Sequence, residues 1–274
     1  MTATQTRKIL TGVDFFDARY GGVFENRCWL LSGPSESGKS AVGLQFLLKG
    51  LPEERSLLLS IHRAVDTVQW TCSQYKGLEK FLETGQLTVL EYADFLPDRD
   101  SQLPSFLPPE GFLDLQQIVS SNGIQRVVLD TVLPWAMPQN PEEMAESTFS
   151  LIRAFERLKC TTLLIAPRPV SPLALRLVNA LEAVVPVSVK LSLSLETGER
   201  VWNTSKYIGD EPSAAPTPYV IVPSRGACAA NGLPVGQPTT PDGNNERARF
   251  ASAVFGAETR EPDRTTRFGV SIKR

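Results

Sequence analysis

Very little in this sequence points to a metal centre or a covalent scaffold. Its 274 residues include one histidine, His62, and four cysteines, Cys28, Cys72, Cys160 and Cys228, widely spaced and without a C-x-x-C pair. Such spacing supports neither a zinc site nor a disulfide framework and fits a reducing cytoplasm. An excess of charge of one sign is also missing: 28 Lys and Arg against 30 Asp and Glu leave a net charge of −2. A polyanion-binding surface spread over the whole protein is therefore not expected, and nucleic acid is not the default partner. No hydrophobic run approaches a membrane-spanning length, and residues 1–11 contain no apolar core of the length a signal peptide needs. The expectation is a cytoplasmic protein with no membrane partner. What the chain does have is 42% hydrophobic content, ample for the buried core of one large domain or two small ones.

One stretch organises the rest. The apolar run Trp29, Leu30, Leu31 breaks into Gly33-Pro34-Ser35-Glu36-Ser37-Gly38-Lys39-Ser40 and then into helix-forming residues 41–48. The turn satisfies G-x-x-x-x-G-K-[ST], and it lies between a strand and a helix, the context that gives the motif its meaning. In that setting the backbone N–H groups of residues 33–40 cradle phosphates at a helix N-terminus, Lys39 reaches the terminal phosphates and the Ser40 hydroxyl ligates Mg²⁺. Glu36 is an odd member of such a loop, because a carboxylate aimed at a triphosphate is repelled, so its side chain is expected to face solvent.

Strand and helix alternate along the chain on either side of the motif. Residues 11–28 read as a lead-in segment with a turn at Thr11-Gly12-Val13-Asp14 and apolar anchors Phe15 and Phe16. Residues 56–61, 87–90, 125–130 and 161–166 are short apolar runs of the kind buried on both faces of a parallel sheet. Helical patterns cover residues 64–76, 78–82, 112–119 and 142–158, the last with Met144, Phe149, Ile152 and Phe155 at helical spacing. Prolines and Gly111 mark residues 94–111 as a surface loop, and a second proline-broken loop covers 134–141. Residues 184–195 and a partner starting near Val201, joined across Thr197-Gly198, form an antiparallel edge. This alternation predicts an α/β fold, a mostly parallel sheet flanked by helices over residues 1–208. From 209 to 274 eight prolines punctuate a stretch without sustained period, which reads as a largely disordered tail.

Asp130 closes a hydrophobic strand, the position from which an acid holds the Mg²⁺ shell opposite the P-loop hydroxyl, although an Asp there is also a common way to begin a loop. Lys39, Ser40 and Asp130 together with the lead-in at residues 11–22, the Arg126-Val127-Val128-Leu129-Asp130-Thr131 strand and the Thr161-Thr162-Leu163-Leu164 strand resemble the RecA-superfamily ATPases of the KaiC-like type. The resemblance covers about three quarters of the chain. It implies a RecA-like fold that binds ATP with Mg²⁺, and a homo-oligomer, often a six-membered ring, with nucleotide at the seams between subunits.

The same resemblance exposes three departures. The family usually ends its second strand with a pair of glutamates, one of which activates the attacking water; the matching positions here hold Ile61 and His62. His62 is the candidate proton acceptor, but a lone histidine at a strand end is also an ordinary surface residue. The family carries a Lys-x-Arg pair on a late strand that reaches a neighbouring subunit's γ-phosphate; here Lys206 is kept as the trans-acting candidate and Ile208 replaces the arginine. The polar residue expected at the end of the Thr161 strand is Ala166. Phosphate binding is kept and hydrolysis is weakened, which implies an ATP-dependent assembly or regulatory switch with slow or absent turnover.

Two other readings stand beside it. One is an active DNA-dependent ATPase, for which residues 132–143 carry no Lys or Arg and residues 167–172 carry only Arg168. The other is an interaction protein with a vestigial nucleotide site, whose tail recruits a partner through residues 267–274, where Phe268, Val270 and Ile272 alternate with residues of another kind.

Overall fold

The structure is a computed structural model that describes residues 7–91, 111–136, 141–210 and 215–230. Its centre is β3 (Cys28–Gly33), a strand buried at every position. Side chains alternate between the two faces of a strand, and here the alternation splits the core. Cys28 and Leu30 of β3 join Leu57 and Leu59 of β4 (Arg55–Ser60), Val127 and Leu129 of β6 (Ile124–Asp130) and Leu164 and Ala166 of β7 (Thr161–Pro167) on one face. Trp29, Leu31, Leu58, Val128, Leu163 and Ile165 join on the other. Both faces need cover, so these strands read as unbroken apolar runs.

The first face is covered by α5 (Gly111–Asn122), α7 (Met144–Arg157) and α8 (Pro172–Val184). The opposite face packs against α1 (Asp14–Tyr20), α2 (Lys39–Gly50) and, more loosely, α3 (Ala64–Gln74) and α4 (Glu79–Glu83). Between β6 and α7 lie α6 (Leu133–Ala136) and a 3-10 turn, Pro141–Glu143. With β5 (Leu87–Glu91), β8 (Val187–Leu193), β9 (Arg200–Tyr207), β10 (Thr217–Val222) and β11 (Gly226–Ala229), the main sheet has nine strands in the order β11-β10-β9-β8-β3-β7-β6-β4-β5. The six from β8 to β5 run parallel, and the last three are antiparallel additions. A two-stranded sheet, β1 (Lys8–Ile9) with β2 (Val23–Phe24), brackets α1.

The expected α/β class and mostly parallel sheet are thus observed, with three differences of detail. The lead-in segment contains a helix: Phe16 and Tyr20 of α1 are buried, and Phe15 meets Trp202 edge-on at 5.4 Å. On α7 the apolar side is Met144, Leu151, Ile152 and Phe155, while Phe149 is 48% exposed with the Arg153 guanidinium over its ring. Most important, the sheet does not end at Tyr207. β10 and β11 lie in the stretch read as disordered, so a domain boundary at 208 falls inside the sheet. The prolines misled because Pro218 pairs only with Val201 of β9, on the part of β10 that β11 does not reach, an edge-like position at which a sheet tolerates proline. Residues 92–110, 137–140, 211–214 and 231–274, including the docking segment 267–274, lie outside the described residues.

Tyr219 of β10 is 2% exposed and Ala227 of β11 1%. Tyr219→Ala is therefore expected to cost about 3–5 kcal/mol, the range for removing a buried aromatic ring, measured by denaturant unfolding. A chain ending at Ile208 should lose at least as much. An unchanged midpoint for either would show that β10 is not part of the core.

Candidate functional site

The site forms where the carboxyl ends of β3, β4, β6 and β7 meet, the crevice in which open α/β sheets bind ligands. β3 delivers Gly33, and the chain turns through residues 34–38 into α2. Gly38 is the N-cap of that helix with φ 91°, a left-handed geometry in which a side chain would be strained; a Cβ there would also lie 2.6 Å from Cδ1 of Ile221. Loop carbonyls are turned to internal donors. Ser37 Oγ and Lys39 Nζ both donate to the Pro34 carbonyl, at 2.8 and 2.6 Å. Arg200 Nε donates to the Glu36 carbonyl at 3.1 Å, and the Tyr219 hydroxyl donates to the Ser37 carbonyl. The first turn of α2 contains no acid, so the positive end of the helix dipole is left for an anion.

Ser40 and Asp130, 90 positions apart in sequence, meet here: Ser40 Oγ donates to Asp130 Oδ2 at 2.7 Å. Burial pushes the Asp130 carboxyl above the ordinary Asp value, opposed by the Ser40 hydrogen bond and by the charges of Lys39 and His62. Burial likewise lowers the Lys39 ammonium, opposed by Asp130. A hydroxyl and a carboxylate this close offer the hard oxygen donors that Mg²⁺ prefers. No group of three or more His, Cys, Asp and Glu side chains among the described residues could hold a metal. An ion here would therefore rest on two protein oxygens and take its other ligands from phosphate and water, the usual habit of Mg²⁺.

β4 ends beside Asp130, with Ser60 as its register partner and the Ile61 N–H donating to the Asp130 carbonyl at 2.9 Å. Ile61 is 49% exposed, and His62 is exposed with its backbone N–H on Ser60 Oγ. Neither position presents a carboxylate. Ala166, fully buried near the end of β7, belongs to the core.

Lys206 stands elsewhere. It pairs with Ser188, which pairs with Leu30 of β3, and so lies towards the end of the sheet away from the P-loop. Its ammonium donates to the Glu182 and Ala183 carbonyls in the last turn of α8, at 2.9 and 2.8 Å, the way a cation caps a helix C-terminus. Within one chain it does not meet Lys39 or Asp130.

Sequence reasoning missed the residues that wall the site. An open cleft beside the loop is lined by Lys39 and Ser40 together with Trp70 of α3, Arg200 of β9 and Ile221 of β10. The hairpin after Leu193 held a signal for one of them: an antiparallel return must bring the first residue of β9 back to the level at which β8 ends, which is the P-loop end. Trp70 and Ile221 carried no such signal.

A P-loop entering a helix at the carboxyl edge of a parallel sheet, with an acid from a neighbouring strand on the loop hydroxyl, defines a RecA-like P-loop nucleotide-binding protein. The family model of the KaiC ATPases matches residues 9–227, and the chain belongs to that ATP-binding family. The crystal structure of a KaiC-like protein from the hyperthermophilic archaeon Pyrococcus horikoshii matches it in fold, with a TM-score of 0.64 and 20% identity over 82% of this chain and 99% of that one. Comparison with curated proteins gives no match. No helix among the described residues is long and apolar enough to cross a membrane.

The raised Asp130 carboxyl yields a test. A group whose folded pKa lies above its unfolded value destabilises the fold once pH passes the unfolded pKa, and below that pH the effect disappears. Asp130→Asn should therefore raise the melting temperature of the nucleotide-free protein at pH 7 and leave it unchanged near pH 3, while weakening any Mg²⁺-dependent binding. A lower melting temperature at pH 7 would contradict the assignment of burial as the dominant influence.

Proposed function

We propose that this protein is a nucleotide-held switch: it binds Mg-ATP at the P-loop, turns it over slowly or not at all, and uses the bound state to set assembly or partner choice. The observation that carries the reading is the asymmetry of the site. Lys39, Ser40 and Asp130 are brought together in one cluster, whereas Ile61 and His62 stand at the strand end where the family resemblance implies a water-activating glutamate. A bound Mg²⁺ would neutralise phosphate charge; the protein's part is to orient the phosphates on the loop N–H groups and on Lys39. The aromatic face of Trp70 and the aliphatic Ile221 along the cleft suit the apolar faces of a nucleobase.

Hydrolysis needs a base on the attacking water and charge stabilisation at the γ-phosphate. Ile61 cannot accept a proton, and Ile208, 55% exposed just beyond β9, cannot act as a cation. Assembly as the output agrees with the family's habit of forming oligomers. In a ring of copies Lys206 would act across the seam, and the alternating Phe268, Val270 and Ile272 would offer a partner-docking segment. Movement on DNA is the weaker reading, because residues 132–143 carry no basic side chain.

A saturating ligand that binds only the native state adds RT ln(1 + [L]/Kd), about 2.7 kcal/mol at a hundredfold excess over Kd. Mg-ATP should accordingly raise the melting temperature, and Lys39→Ala should remove the rise. The sedimentation profile should also shift with Mg-ATP and not without it. A wild type whose melting is indifferent to nucleotide would refute the reading.

Turnover is expected below roughly 1 s⁻¹, the low end of ordinary enzymes, and Ile61→Glu should raise phosphate release. Brisk wild-type turnover abolished by His62→Ala would instead make His62 the base.

A further inference from the structure

Resting on the nucleotide reading, we propose that Arg200 binds the phosphates of the nucleotide held by its own chain, supplying in cis a cation that position 208 does not offer in trans. Arg200 opens β9, pairing with Leu193 at the end of β8 on one side and with Tyr219 of β10 on the other. That register returns it to the P-loop edge of the sheet. Its Nε donates to the Glu36 carbonyl at 3.1 Å, so the guanidinium is anchored to the loop that cradles the anion. The anchor uses one of the five N–H groups an arginine carries. Arg200 also lines the same cleft as Gly38, Lys39 and Ser40, and its charge works against the upward shift that burial imposes on the Tyr219 phenol.

Three physical points favour a phosphate as the ligand of this group. A guanidinium stays protonated at any working pH and presents a planar fork that matches phosphate oxygens. The Lys39 ammonium already donates to the Pro34 carbonyl at 2.6 Å, so a second fixed cation at the loop adds to anion binding. Finally, the strand and the loop hold Arg200 in place before any ligand arrives, so little side-chain freedom remains to be lost on binding.

The competing role is a clamp that only holds the Glu36 carbonyl. Substitution separates the two. Arg200→Gln keeps an N–H donor for the carbonyl and removes the charge; Arg200→Lys keeps the charge. Titrations of Mg-ATP, Mg-ADP and adenosine are run on both variants and on the wild type, with the melting temperature of each ligand-free protein as a control for folding. Since a hydrogen bond to a charged group contributes more than the roughly 1.4 kcal/mol that equals a factor of ten, Arg200→Gln should weaken Mg-ATP by about tenfold or more. Mg-ADP should weaken less, and adenosine not at all. Arg200→Lys, which keeps the charge and loses the fork, should bind Mg-ATP more weakly than the wild type and more tightly than Arg200→Gln, with adenosine unchanged. Unchanged Mg-ATP binding in Arg200→Gln, or an equal loss for Mg-ATP and adenosine, overturns the inference and leaves the nucleotide reading intact. A wild type that binds no nucleotide overturns both.

Discussion

A carboxylate taken out of water must be offset by a nearby cation and by hydrogen-bond donors, or the fold carries its full desolvation cost. Asp130 is placed under that constraint at the end of β6, and the rest of the site answers it. Ser40 reaches it from the first turn of α2, and the Lys39 charge lies close enough to oppose the shift that burial imposes. Those two residues occupy the start of α2 only because Gly38 adopts a left-handed geometry that ends the loop and begins the helix. The helix in turn is fixed from behind by Gln45. Its amide donates to the Gly12 carbonyl at 2.6 Å and accepts from the Ala227 N–H at 2.8 Å. One side chain thus ties the lead-in segment, the phosphate-binding helix and the last strand together.

This wiring explains why β10 and β11 matter to the site although they come last. Tyr219 bonds the Ser37 carbonyl, Ile221 packs over Gly38, and the turn between the strands bonds the end of α3, with Ser224 donating to the Gln74 carbonyl through both its N–H and its hydroxyl. The hairpin therefore rests on the P-loop and on the two helices beside it. Any change in loop geometry on binding is felt by β9 and β10 directly.

What could be read from the sequence follows from how local each signal was. The strands β3, β4, β6 and β7 are continuous apolar runs and stood out; the P-loop is contiguous; Asp130 closes its strand. The readable part of the site was therefore the part made of contiguous motifs. Arg200, Trp70, Tyr219 and Ile221 come from three separate elements and meet only through sheet register and helix docking, which no local pattern encodes. The prolines at 216, 218 and 223 signalled loop with a force that tertiary pairing overrode, because Pro218 sits where β10 has a neighbour on one side only. Lys206 was legible only through the family motif, which implies a phosphate contact across a seam between copies, while within the single chain its ammonium caps α8.

The account rests on binding that outlasts hydrolysis, and the most direct measurement is the identity of the nucleotide that stays on the protein. Purified protein is incubated with Mg-ATP, freed of unbound nucleotide and denatured, and the released nucleotide is separated by chromatography. The account predicts one nucleotide per chain, recovered predominantly as ATP. Recovery predominantly as ADP with free phosphate, at the same stoichiometry, would show that the site hydrolyses what it binds and would contradict it.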